Sequence, residues 1–248
     1  GNGAFAAGSG AGTTSQGAST VAVGILSGQT GQDQFSVAIG SQAGQTNQSE
    51  YSVAIGQQAG ATTQGVDAVA IGKQAGSVTQ GIAGVAIGDL AGTTRQGNQG
   101  VSIGFACGNV DQGIGGIGIG VAAGQSDQGN YAIAIGNLSG QTDQVANAIA
   151  IGRQAGNISQ AEYSIAIGNN AGYDTQAINS RGTTVNDTTA GHIHITSNLA
   201  SLDFTSAAGV WTQTIGATTE TIFTKEALKT VVAASSDFAD FKTRVAAL

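Results

Sequence analysis

Between residues 1 and 176 the apolar and polar positions recur with a period of 16 that never slips. In a typical copy a β-branched residue stands three places before a glycine (Val53, Val69, Val85, Ile133, Ile149), an isoleucine stands directly before it (Ile55, Ile71, Ile87, Ile135, Ile151), and alanine lies between them. Glycine fills position 8 and every sixteenth position to 168, and again position 12 and every sixteenth to 172; glutamine does so from 16 to 176. Branched, small, branched is the alternation of a short strand, and glycines just after it and four residues on supply turns. Each copy reads strand, glycine turn, second extended segment, turn. The expected fold class is all-β: a β-solenoid of eleven 16-residue coils.

Alternate residues of a strand face opposite ways. The branched pair is therefore expected to form the core of the coil, leaving the alanine face to pack against another chain. Two buried aliphatics contribute ~3 to 6 kcal/mol, whereas ordering sixteen backbones costs ~16 to 32 kcal/mol, so a single coil cannot stand alone. Stacking at ~4.8 Å per coil makes a rod roughly 50 Å long. The thin core also favours a homo-oligomer with the alanine column, or an adjacent one, against its axis. The glutamine column, Gln48, Gln64, Gln80, Gln96, Gln112 and Gln128 among it, reads as an amide ladder running from coil to coil. Two residues earlier a column mixes Thr46, Thr62 and Thr94 with Val78, Val110 and Ile158, which marks a half-buried strand position and not a reactive hydroxyl.

Beyond Gln176 the register is lost. Residues 177–191 read as a polar cap or linker, since a terminal coil needs a surface that stops further stacking. Residues 192–222 alternate (HIHIT, LDFT, VWTQTI), with SAAG at 206–209 as a turn, and predict a small β segment. Residues 223–248 read as helical, with Thr224 as N-cap; Phe238, Phe241, Val245 and Leu248 fall on the a/d seam of a coiled coil.

Composition narrows the class of function. Among 248 residues there are 41 glycines, no proline or methionine, 9% charged and 5% aromatic residues. A net charge of -7 with eight unclustered Lys and Arg gives no footprint for a phosphate backbone, so nucleic acid is not an expected partner. No window approaches eighteen uninterrupted apolar residues, and membrane insertion is not expected either. The single cysteine, Cys107, excludes an internal disulfide framework and, standing where other copies carry Ala or Ser, reads as a small buried thiol. The N-terminus GNGAFAAGSG lacks a basic start and apolar run, and the missing initiator Met points to processing or a fragment.

At SVAIG, repeated as GVAIG, YAIAIG and YSIAIG, the chain resembles the head repeats of trimeric autotransporter adhesins; runs of the form AIGxxAGxTxQ are similar to fibre proteins of bacteriophages and large algal viruses. The resemblance covers residues 1–176 and implies a left-handed parallel β-roll in a homotrimer. The repeat is somewhat longer than is usual in bacterial heads, and no stalk with a membrane-anchoring β-barrel follows it. The ending AASSDFADFKTRVAAL instead looks like fibre proteins from phages of marine cyanobacteria. Together these imply a tail fibre on a virion, with other virion proteins and a host cell-surface receptor, a glycan among the options, as partners. A bacterial adhesin head at the cell surface is the alternative; an ice-binding solenoid and a polysaccharide depolymerase fit less well, and no enzymatic activity is expected.

Four candidate sites follow. Asp111, Asp127 and Asp143 stack about 5 Å apart, a carboxylate spacing that suits a retaining glycosidase, yet they sit in a turn column shared with Ser, Thr, Arg and Gly and read as solvated turn residues. Phe35, Tyr51, Tyr131 and Tyr163 share a column two residues ahead of the strand and are candidates for receptor binding, with packing over the turn as the plainer reading. Cys107 needs no functional role. His192 and His194, in GHIHIT, point to one side of a strand, and three such pairs on a trimer axis would offer six imidazoles. The pattern is similar to one in the tips of contractile-phage fibres and spikes, which implies a structural Fe(II) or other transition metal; the plainer reading is two partly exposed strand histidines.

Overall fold

The computed structural model describes residues 2–173 and, beyond them, the backbones of four strands, Thr183–Val185, Leu202–Thr205, Val210–Ile215 and Thr218–Thr224. All regular structure among the described residues is β. The chain divides into two compact units, Gly1–Ala190 and Gly191–Leu248.

The first unit is a β-solenoid. Eleven three-residue strands, from Phe5–Ala7 to Ile165–Ile167, stack in parallel with each residue paired to its copy sixteen later, as in Val53↔Val69, Ala54↔Ala70 and Ile55↔Ile71. That makes ten complete turns. The ladder runs both ways from each strand: Val53 N–H donates to the carbonyl of Ala68 at 2.9 Å and Gly56 N–H to that of Ile39 at 2.8 Å. A twelfth strand, Thr183–Val185, pairs Ile165 with Thr183, two residues beyond the position the period points to. The segment read as a cap or linker thus supplies one more rung. A second parallel sheet runs along the rod through the glutamine columns, with seven strands from Thr30–Gln32 to Ser126–Gln128, and single bridges at Thr14↔Thr30, Ser126↔Thr142 and Thr142↔Ile158 extend it.

The structure reverses the expected sidedness of the first strand. Ala54, Ala70 and Ala86 are 0% exposed, whereas Ile55 and Ile71 are 36% and 37% exposed and their valine partners only half-buried. The reason is width. A typical coil closes around one strand alanine, one turn alanine and one glutamine (Ala54, Ala59 and Gln64), and the alanines of successive coils stack into core clusters, the longest from Ala38 to Ala91. A methyl added at Gly60, where φ is +51°, would lie 2.8 Å from Gln64 Oε1 and 3.3 Å from Ala54 Cβ. No room remains for a branched side chain, so the branched pair takes the outer face. At Gly56, with φ +130°, an added Cβ would stand 2.5 Å from the carbonyl oxygen of Gly72 in the next coil, so this column is glycine because neighbouring backbones meet there.

The buried glutamines brace the coil more than they link coils. Gln48, Gln64, Gln80, Gln96, Gln112 and Gln128 each donate from Nε2 across the interior to the carbonyl of the first strand residue of their own coil, at 2.8 to 2.9 Å. The expected amide ladder runs from Gln96 through Gln112, Gln128 and Gln144 to Gln160 at 3.0 to 3.1 Å, and from Gln64 to Gln80 at 3.2 Å. It also joins Gln16 to Gln32 at 3.4 Å but breaks between Gln32 and Gln64 and between Gln80 and Gln96, leaving the Oε1 atoms of Gln48, Gln64 and Gln96 unpartnered. The intracoil bond takes precedence because it satisfies a backbone carbonyl that water cannot reach.

In the second unit, Leu202–Thr205, Val210–Ile215 and Thr218–Thr224 form an antiparallel meander, pairing Thr205 with Val210 and Trp211 with Phe223, with a bulge at Trp211/Thr212. The last strand runs to Thr224, past the expected start of the helix; the remainder of 223–248, and His192 and His194, lie outside the described residues.

Candidate interaction surface

The outward Val/Ile pairs line up into one apolar strip along the rod, one pair per coil from Val21 and Val23 to Ile165 and Ile167. Positions two before each strand and two after it lie at the corners and flank the strip, each exposed or half-buried. On the first flank every residue is in the left-handed region, with φ between +54° and +62° from Ala83 to Gly115.

All four candidate aromatics stand on this first flank, and all are exposed: Phe35, Tyr51, Tyr131 and Tyr163. Phe35 and Tyr51 stack on each other, ring centroids 5.2 Å apart and 6° from parallel. The Tyr131 ring lies over Gly115, where an added Cβ would be 2.9 Å from it. The aromatics therefore border the apolar strip. Sequence reasoning placed them in one column but missed this neighbour, because it had turned the strip inward.

The acid column lies elsewhere, Asp111 and Asp127 in the middle of second-sheet strands and Asp143 beside the isolated bridge at Thr142. Asp111, Asp127 and Asp143 have φ of +53°, +54° and +53°, a conformation aspartate and asparagine tolerate better than most residues; Asn47 shares it at +53°. Arg95 and Ser159 share the conformation as well, at +53° and +51°. Asp111 is held by the Arg95 guanidinium through two hydrogen bonds, while Asp127 and Asp143 face solvent. Among the described residues no group of three or more His, Cys, Asp or Glu is placed to hold a metal. A polar groove near the N-terminal end is lined by Gln16, Gln32, Gln48 and Asp33, and Asp33 is the one titratable side chain in its lining.

Cys107 is fully buried, its Sγ 3.2 Å from the carbonyl oxygen of Ala123, and burial pushes the thiol up to about 12. It is a packing residue, compensated by Gly118, where an alanine Cβ would come within 2.7 Å of Sγ. Among the described residues no helix is long and apolar enough to cross a membrane. Comparison with protein-family models, with curated proteins and with solved structures finds no match for the chain.

Proposed function

We propose that the chain is a structural and adhesive fibre segment: a homotrimer of parallel rods, part of a phage or viral tail fibre, holding a receptor-binding surface away from the particle. The observation that carries this reading is the apolar strip. A row of Val/Ile pairs running the length of the solenoid, each isoleucine about a third exposed or more in Ile39, Ile55, Ile71, Ile119, Ile151 and Ile167, is a surface a soluble rod leaves open only for a partner. Identical copies offer the matching surface, since each carries the same spacing of ~4.8 Å per rung. The resemblance of SVAIG and AIGxxAGxTxQ to adhesin heads and viral fibres supports three copies and an attachment role. A repeat with a solvated acid column and an inert thiol supports mechanical work over chemistry.

Sedimentation of the full chain tests the assembly: three chains per particle across the concentration range, with Ile71→Asp dissociating it. A folded, monodisperse monomer in the wild type overturns the trimer. Immunolabelling of intact virions tests the location, and label confined to bacterial cell surfaces would instead favour an adhesin head.

A further inference from the structure

The two flanks of the apolar strip are complementary to each other. Each outward row contains a first-flank residue, the branched pair and a second-flank residue, as in Asp67, Val69, Ile71 and Lys73. In the ten rows from Ser19–Ile25 to Tyr163–Asn169, none has a bulky apolar residue on both flanks. Phe35 and Tyr131 share rows with Ser41 and Asn137; Phe105 and Val121 share theirs with Gln99 and Gly115. One row is charged at both ends, and its signs are opposite: Asp67 and Lys73. Both are exposed. Two ion pairs occur among the described residues, Lys73–Asp89 at 3.5 Å and Arg95–Asp111, and Asp67 belongs to neither.

Within one chain the two ends of a row lie at opposite corners and have no reason to match. They meet when parallel copies turn the same face to a common axis, because the contact is then head-to-tail and the first flank of one copy abuts the second flank of the next at equal height. Antiparallel pairing would instead set first flank against first flank, and Asp67 would lose its partner.

We infer that the flanks pair row by row between neighbouring copies, with Asp67 of one chain beside Lys73 of the next and the exposed aromatics seated over small or polar residues of the neighbouring second flank. This rests on the proposed assembly and deepens it. The flanks fix direction and register, which the strip alone leaves free because every rung of it is nearly the same. Lys73 is then shared between Asp89 of its own chain and Asp67 of the next. The aromatics belong to the seam, and the outer surface left for a receptor is the second sheet, with its Asn, Asp and Thr columns.

The test places Asp67→Cys and Lys73→Cys together in the full chain; Cys107 is too buried to take part. In one chain these positions stand on opposite flanks of the strand Val69–Ile71, whose ends alone are about 6.6 Å apart at the usual rise, already at the limit of disulfide reach before either flank is added. Oxidation by dissolved oxygen is expected to link chains covalently on a non-reducing gel, with neither single variant doing so. An assembly of unchanged sedimentation that fails to cross-link overturns the flank pairing and leaves the trimer standing. Cross-linking into closed two-chain species supports the pairing and removes the trimer. Should the double variant not fold, carbodiimide treatment of the wild-type protein provides the second measurement: an amide between Asp67 and Lys73 that joins chains supports the seam, and recovery of the Asp89–Lys73 amide alone overturns it.

Discussion

At the scale of single residues, the solenoid is governed by where one added carbon can go. Gly56→Ala puts a Cβ 2.5 Å from a backbone oxygen of the next coil at a φ of +130°, and backbone cannot step aside. A loss of ~1 to 3 kcal/mol from the conformation alone, and more from the clash, is expected in thermal or urea melts. Cys107 and Gly118 form a compensating pair. Gly118→Ala is expected to destabilise the wild type and to be rescued by Cys107→Ala, with a coupling of about 0.5 to 3 kcal/mol in a double-mutant cycle; simple additivity would refute the packing account. The same thiol adds a pH dependence. Folded, its pKa is raised from 9.0 to about 12, so below pH 9 it is protonated in both states, and between 9 and 12 only the unfolded chain gives up the proton. Stability therefore falls with rising pH in that window by up to about 1.4 kcal/mol per unit. Wild type should lose ground to Cys107→Ala between pH 8 and pH 10.5 in urea denaturation.

At the scale of the coil, the interior is an alanine and glutamine core with no slack. Ala54, Ala70 or Ala86→Leu drives a branched group into a space already filled, at an expected cost of ~1 to 3 kcal/mol or more each. Arg95→Ala, on the second sheet away from the seam, breaks an exposed ion pair with Asp111, the arginine side chain being 66% exposed, and should move the melting temperature little. Equal effects at the two sets would show the sidedness of the strand to be wrong. Gln112→Ala removes the donors that satisfy the carbonyls of Val101 and Gly116, at 2.9 and 3.1 Å, and a cost of ~1 to 3 kcal/mol is expected.

At the scale of the whole molecule, the outward strip makes association part of stability. If copies fold and assemble together, mass action raises the apparent melting temperature with protein concentration. A melting temperature constant over a hundredfold dilution would show that the solenoid stands alone. Ile71→Asp, outward in the single chain and therefore tolerable to the coil itself, should abolish assembly, whereas Thr62→Asp on the opposite sheet should leave it intact.

How much of this was legible beforehand depends on which physical constraint each feature obeys. The period, the parallel register and the two glycine columns follow from the sequence by itself, because stacking copies repeats every local choice and any slip would be repeated in each coil, whereas the sequence showed the glutamines as a ladder and not that they are buried. Alternation at LDFT and VWTQTI pointed to extended chain for the same local reason, but the strand Thr218–Thr224 crosses the boundary at which a helix was expected and was not read. Sidedness was not. Alternation says that Ala54 and Ile55 face opposite ways, but not which way is in, and hydrophobicity argued for the isoleucine. A signal was present in the size limit: the column from Ala22 to Ala166 admits only Ala, Ser and Gly, while the columns beside it accept Val and Ile. Only the closed coil decided the matter, since its width is set by two short strands and two turns brought together in space, and that width leaves room for a methyl and an amide but not for a branched side chain.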